Sequence, residues 1–427
     1  MRKAAILAAG DSTRMLPLTA NMPKHLLPVG GKPLIFHTLN ALREAGIQET
    51  LVIYGYQGDK LKAAIDSLDW SPMKIRYKEQ QERRGTAHAA GQARDFAGKD
   101  EILIMYGDLL VGPGSIQGLL ESHRKAGLDL TLSVTPLDDP TAYGIVTVKN
   151  GRAMSLIEKP TRDQLVGNLA NAGIYVAGPS LWDAIDRTGL SPRNEYEITD
   201  SVAMLIKENR VSAYTLPSWW IDIGRPWDLL AANEVVLKNL GRSIDGDVEE
   251  GAVIKGNVVV EHGATVRSGA YVEGPAYISN EAVVGPNCYV RPSTSLGQGV
   301  KVGNAVEVKN SIIMEGSSIG HLSYVGDSVI GRKVNFGAGT ITANLRHDDQ
   351  PVNTTVKGKR TSSGRRKLGA IVGDNVKTGI GTSIAPGVVL HQGARTGIGV
   401  IVDRDVEPYT MVVAEQPKRT TTLDQPK

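Results

Sequence analysis

Two spacings of apolar residues divide this 427-residue chain. Over residues 3–228, short β-type runs recur at 3–7, 51–54, 75–77, 102–105, 130–134, 145–148 and 173–176. Helical patterns at 36–45 and 85–96 lie between them. Strands alternating with helices predict an α/β domain, a mostly parallel sheet with helices on both faces. Residues 226–240 (PWDLLAANEVVLKNL) read as a connecting helix, with proline at the start and Gly241 just past the end.

The period then changes. From Val248 every sixth residue is apolar: Val248, Ile254, Val260, Val266, Val272, Ile278, Val284, Val290, Leu296, Val302, Val308 and Met314. With 41% hydrophobic residues, such a run arises by chance on the order of once in 10⁵ trials. Four residues after most of these positions stands a small or β-branched residue: Ala252, Ala264, Ala270, Ala276, Ala282, Cys288, Thr294. A period of six fits neither an α-helix nor a simple strand. It is the hexapeptide signature of a parallel β-helix, three hexads to a coil of about 18 residues. The phase slips near Gly320, resumes at Ile330 and Phe336, and returns at Val372, Ile384, Leu390 and Val402. Residues 345–368 are polar, basic and without the period, which predicts a loop ejected from the coil. The expected organisation is a first domain at 1–228, a linker helix at 229–243, a β-helix at 244–407 and an extended tail at 408–427.

Composition narrows the class of protein. The length predicts two domains, and 48 Gly with 3 Phe fit many tight turns. A net charge of +3 gives no footprint for nucleic acid or a charged membrane. The single cysteine, Cys288, excludes a disulfide framework and points to a reducing compartment. The N-terminal apolar run is too short for a signal peptide or membrane span. The expectation is a cytoplasmic enzyme.

The first strand enters a small-residue loop, Leu7-Ala8-Ala9-Gly10-Asp11-Ser12-Thr13-Arg14, and Lys24 follows ten residues later. Backbone N–H groups and an arginine after a strand can cradle a triphosphate. A second cation can stabilise departing pyrophosphate. Alone, such a loop is more often an ordinary strand-to-helix turn. Asp108, in Tyr106-Gly107-Asp108, and Asp222, in Trp220-Ile221-Asp222, each follow apolar runs, where carboxylates hold Mg²⁺ or simply cap turns. Together, two cations and two carboxylates suit metal-assisted phosphoryl transfer.

Residues 4–230 resemble the sugar-1-phosphate nucleotidyltransferases, whose hallmark L-A-A-G-x-G-T-R-x followed by P-K stands here as LAAGDSTRM…MPK, with Ser12 in place of the usual glycine. The resemblance implies a Rossmann-like fold. It implies that Ala9, Gly10, Arg14, Lys24, Gln80, Gly85 and Thr86 bind the nucleotide, UTP or dTTP. Tyr106, Gly144, Glu158, Lys159 and Asn171 would hold the sugar 1-phosphate, and Asp108 and Asp222 the Mg²⁺.

In the repeat region, His321 falls where the phase slips, so it need not point inward; a lone histidine is otherwise most often structural. Arg291 and Lys309 are one coil apart and stack on one side, a natural phosphate site. The segments RPS, VEVKN, GHLSYVGD and VNFGAGTITAN resemble the acetyltransferase half of the bifunctional uridylyltransferase/acetyltransferases, a left-handed β-helix that works as a trimer. The resemblance implies His321 as general base and Asn344 as its orienter or an oxyanion donor. Arg291, Lys309, Tyr324 and Asn335 would bind an amino-sugar phosphate, with Glu307 at the amino end. Acetyl-CoA would lie near Ala338, Gly379 and Ile398. The bacterial pattern has a lysine six residues past Asn344, where this chain has Gln350. The longer, archaeal-looking loop offers Lys357, Lys359, Arg360, Arg365, Arg366 and Lys367 as replacements. Two other readings stay open: a glucose-1-phosphate thymidylyl- or uridylyltransferase with the β-helix only a trimerisation scaffold, and a guanylyltransferase-like protein with a regulatory β-helix.

Overall fold

Successive side chains of the first strand, Lys3–Ala8, enter two different cores. Ala5 and Leu7 pack with Ala87, Leu181 and Val202 on one side. Ala4, Ile6 and Ala8 pack with Ile35, Leu61 and Leu119 on the other. A strand buried on both faces reads as a continuous apolar run, as this one does. The computed structural model describes residues 2–423; the last four residues of the expected tail, 424–427, lie outside them.

The sheet around that strand has nine strands, in the order Lys74–Glu79, Glu49–Tyr54, Lys3–Ala8, Ile102–Tyr106, Leu169–Ala177, Leu130–Pro136, Val211–Thr215, Arg152–Glu158, Gly144–Lys149. Seven run one way; Leu169–Ala177 and Arg152–Glu158 run against them. Helices Leu34–Glu44, Gly58–Asp66 and Ser115–Ala126 feed one core. Helices Thr86–Gly91, Ser180–Asp186 and Ile198–Lys207 feed the other. The helical pattern at 85–96 is therefore two pieces, because a second helix, Arg94–Ala97, starts afresh after Gln92 and Ala93. The first four strands of the sheet lie in the order 3-2-1-4, so the order reverses between Lys3–Ala8 and Ile102–Tyr106. Open α/β sheets bind ligands beyond the carboxyl ends of strands at such a reversal. This unit ends at Gly224.

The second unit begins at Arg225 and takes in Arg14–Ala20 and Pro28–Gly31. Its helix Asp228–Asn239 carries the fully buried Asn233. The Asn233 Oδ1 accepts from the Gly30 N–H (2.8 Å) and the Ser295 hydroxyl (2.7 Å), and its Nδ2 donates to the Ser293 carbonyl (2.9 Å). Beyond it the chain winds through three parallel sheets of eight, six and eight short strands, consistent with a left-handed β-helix. Pairs such as Val253↔Tyr271 and Val290↔Val308 show that 18 residues separate vertical neighbours. Val260, Val266, Val272, Ile278, Val284 and Val290 form one buried column system, with Ala264, Ala270, Ala276, Ala282 and Cys288 filling the corners. Burial pushes the Cys288 thiol up to about 12.

The phase slip lies earlier than the sequence suggests. Leu296 pairs with Ile313 and Val302 with Ile319, 17 residues on. The twelfth inward position belongs to Ile313, not Met314; both are buried and apolar, so the sequence hides the shift. Two sides, Val308 to Ile313 and Val325 to Ile330, are each one residue short. Their corners turn at Asn310 and Asp327, both with left-handed backbone (φ 44° and 50°). Asn and Asp tolerate that conformation better than other side chains.

Residues 345–368 do leave the coil, but as an ordered ribbon. Asn353–Val356 pairs antiparallel with Lys359–Ser362 around a two-residue turn at Lys357 and Gly358, both at positive φ, as a type I′ turn requires. Val352 and Thr354 are buried at its base. Among the described residues no helix is long and apolar enough to cross a membrane.

Candidate active sites

The carboxyl ends at the sheet reversal carry the first cluster. The Gly107 N–H donates to the Leu7 carbonyl (2.9 Å), holding the Ala8–Gly10 loop beside Asp108. The short strand Trp220–Asp222 pairs antiparallel with Leu109–Val111, Asp222 opposite Leu109. The Ile223 N–H donates to the Asp108 carbonyl (3.0 Å). Two aspartates 114 positions apart in sequence thus become backbone neighbours. Lys24 forms a hydrogen-bonded ion pair with Asp108. Burial works to raise the Asp108 pKa, but the Lys24 charge and hydrogen bond outweigh it and hold the carboxyl below the usual range. His25 lies fully buried beneath; burial first, and Lys24 second, lower its pKa to about 3, so the ring is neutral. Two hard carboxylates fit Mg²⁺, which takes few protein ligands and completes its shell with phosphate and water. Among the described residues no group of three or more potential ligands forms.

Around this cluster the glycine loop is flanked by the Arg83–Asp11 ion pair. Arg14 follows in the one-turn helix Thr13–Met15 and is exposed. Gln80 is buried, with Nε2 2.9 Å from His88 Nδ1. Gly85 has a positive φ of 111°, and a Cβ there would fall 2.5 Å from the Tyr196 carbonyl oxygen. Thr86 Oγ1 accepts from the Ile198 N–H (2.9 Å), and Thr86 also hydrogen-bonds Tyr106. Burial above all lifts the Tyr106 hydroxyl well above its usual range, and the adjacent Tyr175 contributes. Asn171 Nδ2 donates to Tyr175 (2.6 Å). Gly144 is opposite Glu158 in the antiparallel ladder, and a Cβ at Gly144 would come within 3.0 Å of the Glu158 carboxylate. Lys159 sits next at positive φ. Gly144, Glu158 and Asn171 thus lie together, with Lys159 following Glu158 and Tyr106 reached through Tyr175.

Sequence reasoning missed Arg193, which donates to Glu158 (3.1 Å) and Glu197 (2.7 Å). It also missed Trp220, whose indole donates to the Ala172 carbonyl (2.9 Å) and packs edge-on against Tyr143. For Arg193 the only signal was the dense polar stretch SPRNEYE, which resembles any surface loop; Trp220 stood in the run quoted for Asp222, with nothing to mark its indole.

The β-helix separates its expected site residues into two groups. At the corner after the third sheet, Arg291 donates to Glu307 (2.8 Å). Lys309 donates to Asp327 (3.2 Å), and Asn344 donates to the Tyr324 hydroxyl (3.1 Å) and to Asp327 (2.5 Å). Asn310 also donates to Asp327 (2.8 Å). Asp327, with only 3% of its side chain exposed, is the hub, and sequence reasoning did not single it out. The expected pair of phosphate-binding cations is stacked as the spacing implies, but each already has a carboxylate.

The second group stands one corner away. His321 ends the strand Ser318–His321, exposed, opposite Asn304. Gly339 N–H bonds the His321 carbonyl, Gly381 N–H the Ala338 carbonyl and Gly399 N–H the Ile380 carbonyl, so His321, Ala338, Ile380 and Ile398 stack in one column. Beside it runs a column of glycines: a Cβ on Gly303 would fall 2.0 Å from the Gly320 oxygen, and one on Gly379 2.2 Å from the Gly397 oxygen. Asn335 is exposed on the adjoining sheet face, in line with Lys377 and Arg395. Within the chain, Asn344 spends its amide on Tyr324 and Asp327, at the opposite end of one coil side from His321.

A strand-order reversal bearing two carboxylates, followed by a six-residue repeat, defines a nucleotide-transferring unit joined to a β-helix. The family model for nucleotidyl transferases matches residues 3–239, and one described as the GMPPB C-terminal domain matches residues 272–394. A solved putative glucose-1-phosphate thymidylyltransferase from Bacillus anthracis is 27% identical, with a TM-score of 0.52 over 57% of this chain and 98% of that one. "Bifunctional protein GlmU" of Methanocaldococcus jannaschii is 42% identical over 410 residues, 96% of this chain and 97% of its own. A bifunctional sugar-1-phosphate nucleotidylyltransferase/acetyltransferase of Sulfurisphaera tokodaii is 41% identical over 95% and 98%. The chain belongs to this bifunctional GlmU family of sugar-1-phosphate nucleotidylyltransferases and acetyltransferases.

Proposed function

We propose that the β-helix transfers acetyl from acetyl-CoA to glucosamine 1-phosphate, and that the N-terminal unit then transfers UMP from UTP to the product, giving UDP-N-acetylglucosamine and pyrophosphate. The observation that carries the reading is the His321 column. An exposed imidazole stands at the head of a corner where glycines leave the backbone uncovered for four stacked coils. A pure scaffold has no use for it.

In the acetyl step the amine of the sugar attacks the thioester carbonyl. A C–N bond forms, the C–S bond breaks, His321 takes the amine proton, and the CoA thiolate leaves. Ala338, Gly379 and Ile398 would run beside the acetyl donor. Tyr324, Asn335 and the Arg291 and Lys309 pair would receive the sugar phosphate, with Glu307 near the amine. Leu322, Ile380, Ile398 and Ile401 are all more than half exposed on this flank. Apolar surface of that kind supports a homotrimer with neighbouring copies completing each site.

In the nucleotidyl step the sugar phosphate oxygen attacks the α-phosphorus in line and pyrophosphate departs. The phosphate is already ionised, so catalysis is positioning and charge stabilisation. Arg14, Lys24 and the Ala9–Gly10 backbone would hold the triphosphate; Gln80, Gly85 and Thr86 the base and ribose. Mg²⁺ held by Asp108 and Asp222 would neutralise the developing phosphate charge. Lys24 must then release Asp108, which frees its ammonium for the phosphates. Tyr106, Gly144, Glu158, Lys159 and Asn171 would hold the sugar 1-phosphate.

One assay decides the pairing. Wild type is expected to release thiol from acetyl-CoA with glucosamine 1-phosphate; His321→Ala is expected to lose at least 100-fold of that rate and keep pyrophosphate release. Absence of wild-type thiol release would eliminate the acetyltransferase.

A further inference from the structure

We infer that Lys367 is the cation that takes the phosphate of the amino-sugar 1-phosphate, in place of the lysine that Gln350 lacks. The inference rests on the acetyltransferase reading and deepens it.

Seven lysines and arginines lie on the ejected ribbon; Arg346 pairs with Asp348 (2.5 Å), and the positions of the other six separate them. Lys357 forms the turn at the ribbon's tip, with Lys359 just past it. Arg360 is committed to the base of the ribbon, donating to the Asn353 carbonyl (2.7 Å) and the Gly387 carbonyl (3.3 Å). Arg365 reaches the connecting helix and donates to Glu234. Arg366 pairs with Asp349 (2.7 Å). Lys367 is exposed and makes no such pair among the described residues. It is also the one carried back to the coil: it bridges Leu345 antiparallel, and the Leu368 N–H donates to the Asn344 carbonyl (3.0 Å). The backbone therefore fixes Lys367 across from the residue after Asn344, the amide that touches Tyr324 and Asp327. Arg365, Arg366 and Lys367 together line a cleft of about 350 Å³.

The charges at that corner explain why a further cation is required. Arg291 and Lys309 each face a carboxylate, Glu307 and Asp327. Those two pairs are neutral as units, so by themselves they leave the charge of a dianionic phosphate unmatched. Lys367 supplies the unmatched positive charge, since Arg365 and Arg366 are themselves paired with Glu234 and Asp349. A flexible ammonium suits a phosphate as a point charge.

The test uses the full-length protein and Lys367→Ala. Expected is a rise of at least tenfold in KM for glucosamine 1-phosphate in the thiol-release assay, with KM for acetyl-CoA and the pyrophosphate-release rate unchanged. Gln350→Lys placed in the Lys367→Ala background is expected to recover most of the loss. Lys357→Ala, at the tip, should change KM less than twofold. A Lys367→Ala KM equal to wild type, or an equal loss in Lys357→Ala, overturns the assignment. A second measurement separates it from the acetyltransferase reading. Calorimetric binding of glucosamine 1-phosphate is followed with UDP-N-acetylglucosamine saturating the nucleotidyl site. If wild type releases no thiol yet binds the sugar phosphate at least tenfold more tightly than Lys367→Ala, the anion site stands and the acetyl reading falls. Equal binding by the two proteins overturns the anion site.

Discussion

The two units build sites by opposite means. In the first, Asp108 and Asp222 meet because a sheet reverses its strand order and a short hairpin-like pair closes over the gap. Nothing in their sequence spacing announces the meeting. In the β-helix, distance along the chain is distance in space: His321, Ala338, Ile380 and Ile398 are one corner read four times. The sheet concentrates charge at a single point with few residues. The coil lays a ligand along a line, and a repeat behaves nearly as a one-dimensional array in which each coil answers to its neighbours. The difference teaches where substitutions should be felt: sharply in the first unit, and along the axis in the second.

The largest expected effect tests the separation itself. Arg14→Ala and Asp108→Asn should each lower nucleotidyl transfer by at least 100-fold in kcat/KM while leaving thiol release intact; loss of both activities in a folded variant would show that the sites are not independent. Next comes Asp327→Ala. Removing a buried carboxylate strips Lys309 of its acceptor and leaves Asn310 and Asn344 with only Glu234 and Tyr324, at a cost of about 3 kcal/mol in β-helix stability. Thermal unfolding of the second unit should move down, with pyrophosphate release unchanged below the transition. Gly303→Ala should cost about 2 kcal/mol, because its Cβ would meet the backbone of the next coil rather than a yielding side chain. A stability unchanged by that substitution would mean that the coils can slide apart, against the rigid stacking described above.

The legible and illegible features divide along the same line. The inward column from Val260 to Val308 is readable because a β-helix converts burial into a strict period. The reading fails at Met314 because Ile313 and Met314 are both apolar, and a corner one residue short leaves no mark in hydropathy. The ribbon at 353–362 reads, from its sequence, as a loop ejected from the coil. Its signal was present in the Thr-Thr-Val and Arg-Thr-Ser runs around Lys-Gly, but a polar ribbon has no hydrophobic period to count. Lys24, Asp108 and the glycine loop were visible as a motif. Arg193 was not, since only the folded sheet brings it to Glu158. Asp327 was hidden by chemistry rather than distance: an aspartate after glycine reads as a turn, and its turn is real, yet its carboxylate gathers three donors.

The small corner residue Cys288 gives the experimenter a clean channel. A colorimetric disulfide reagent added to the native enzyme should report liberated coenzyme alone, because the chain's single sulfhydryl is sequestered and reluctant to ionise. Once the coils part, the same reagent should consume one equivalent per polypeptide. A turnover indicator thus doubles as a gauge of unravelling, with no label added.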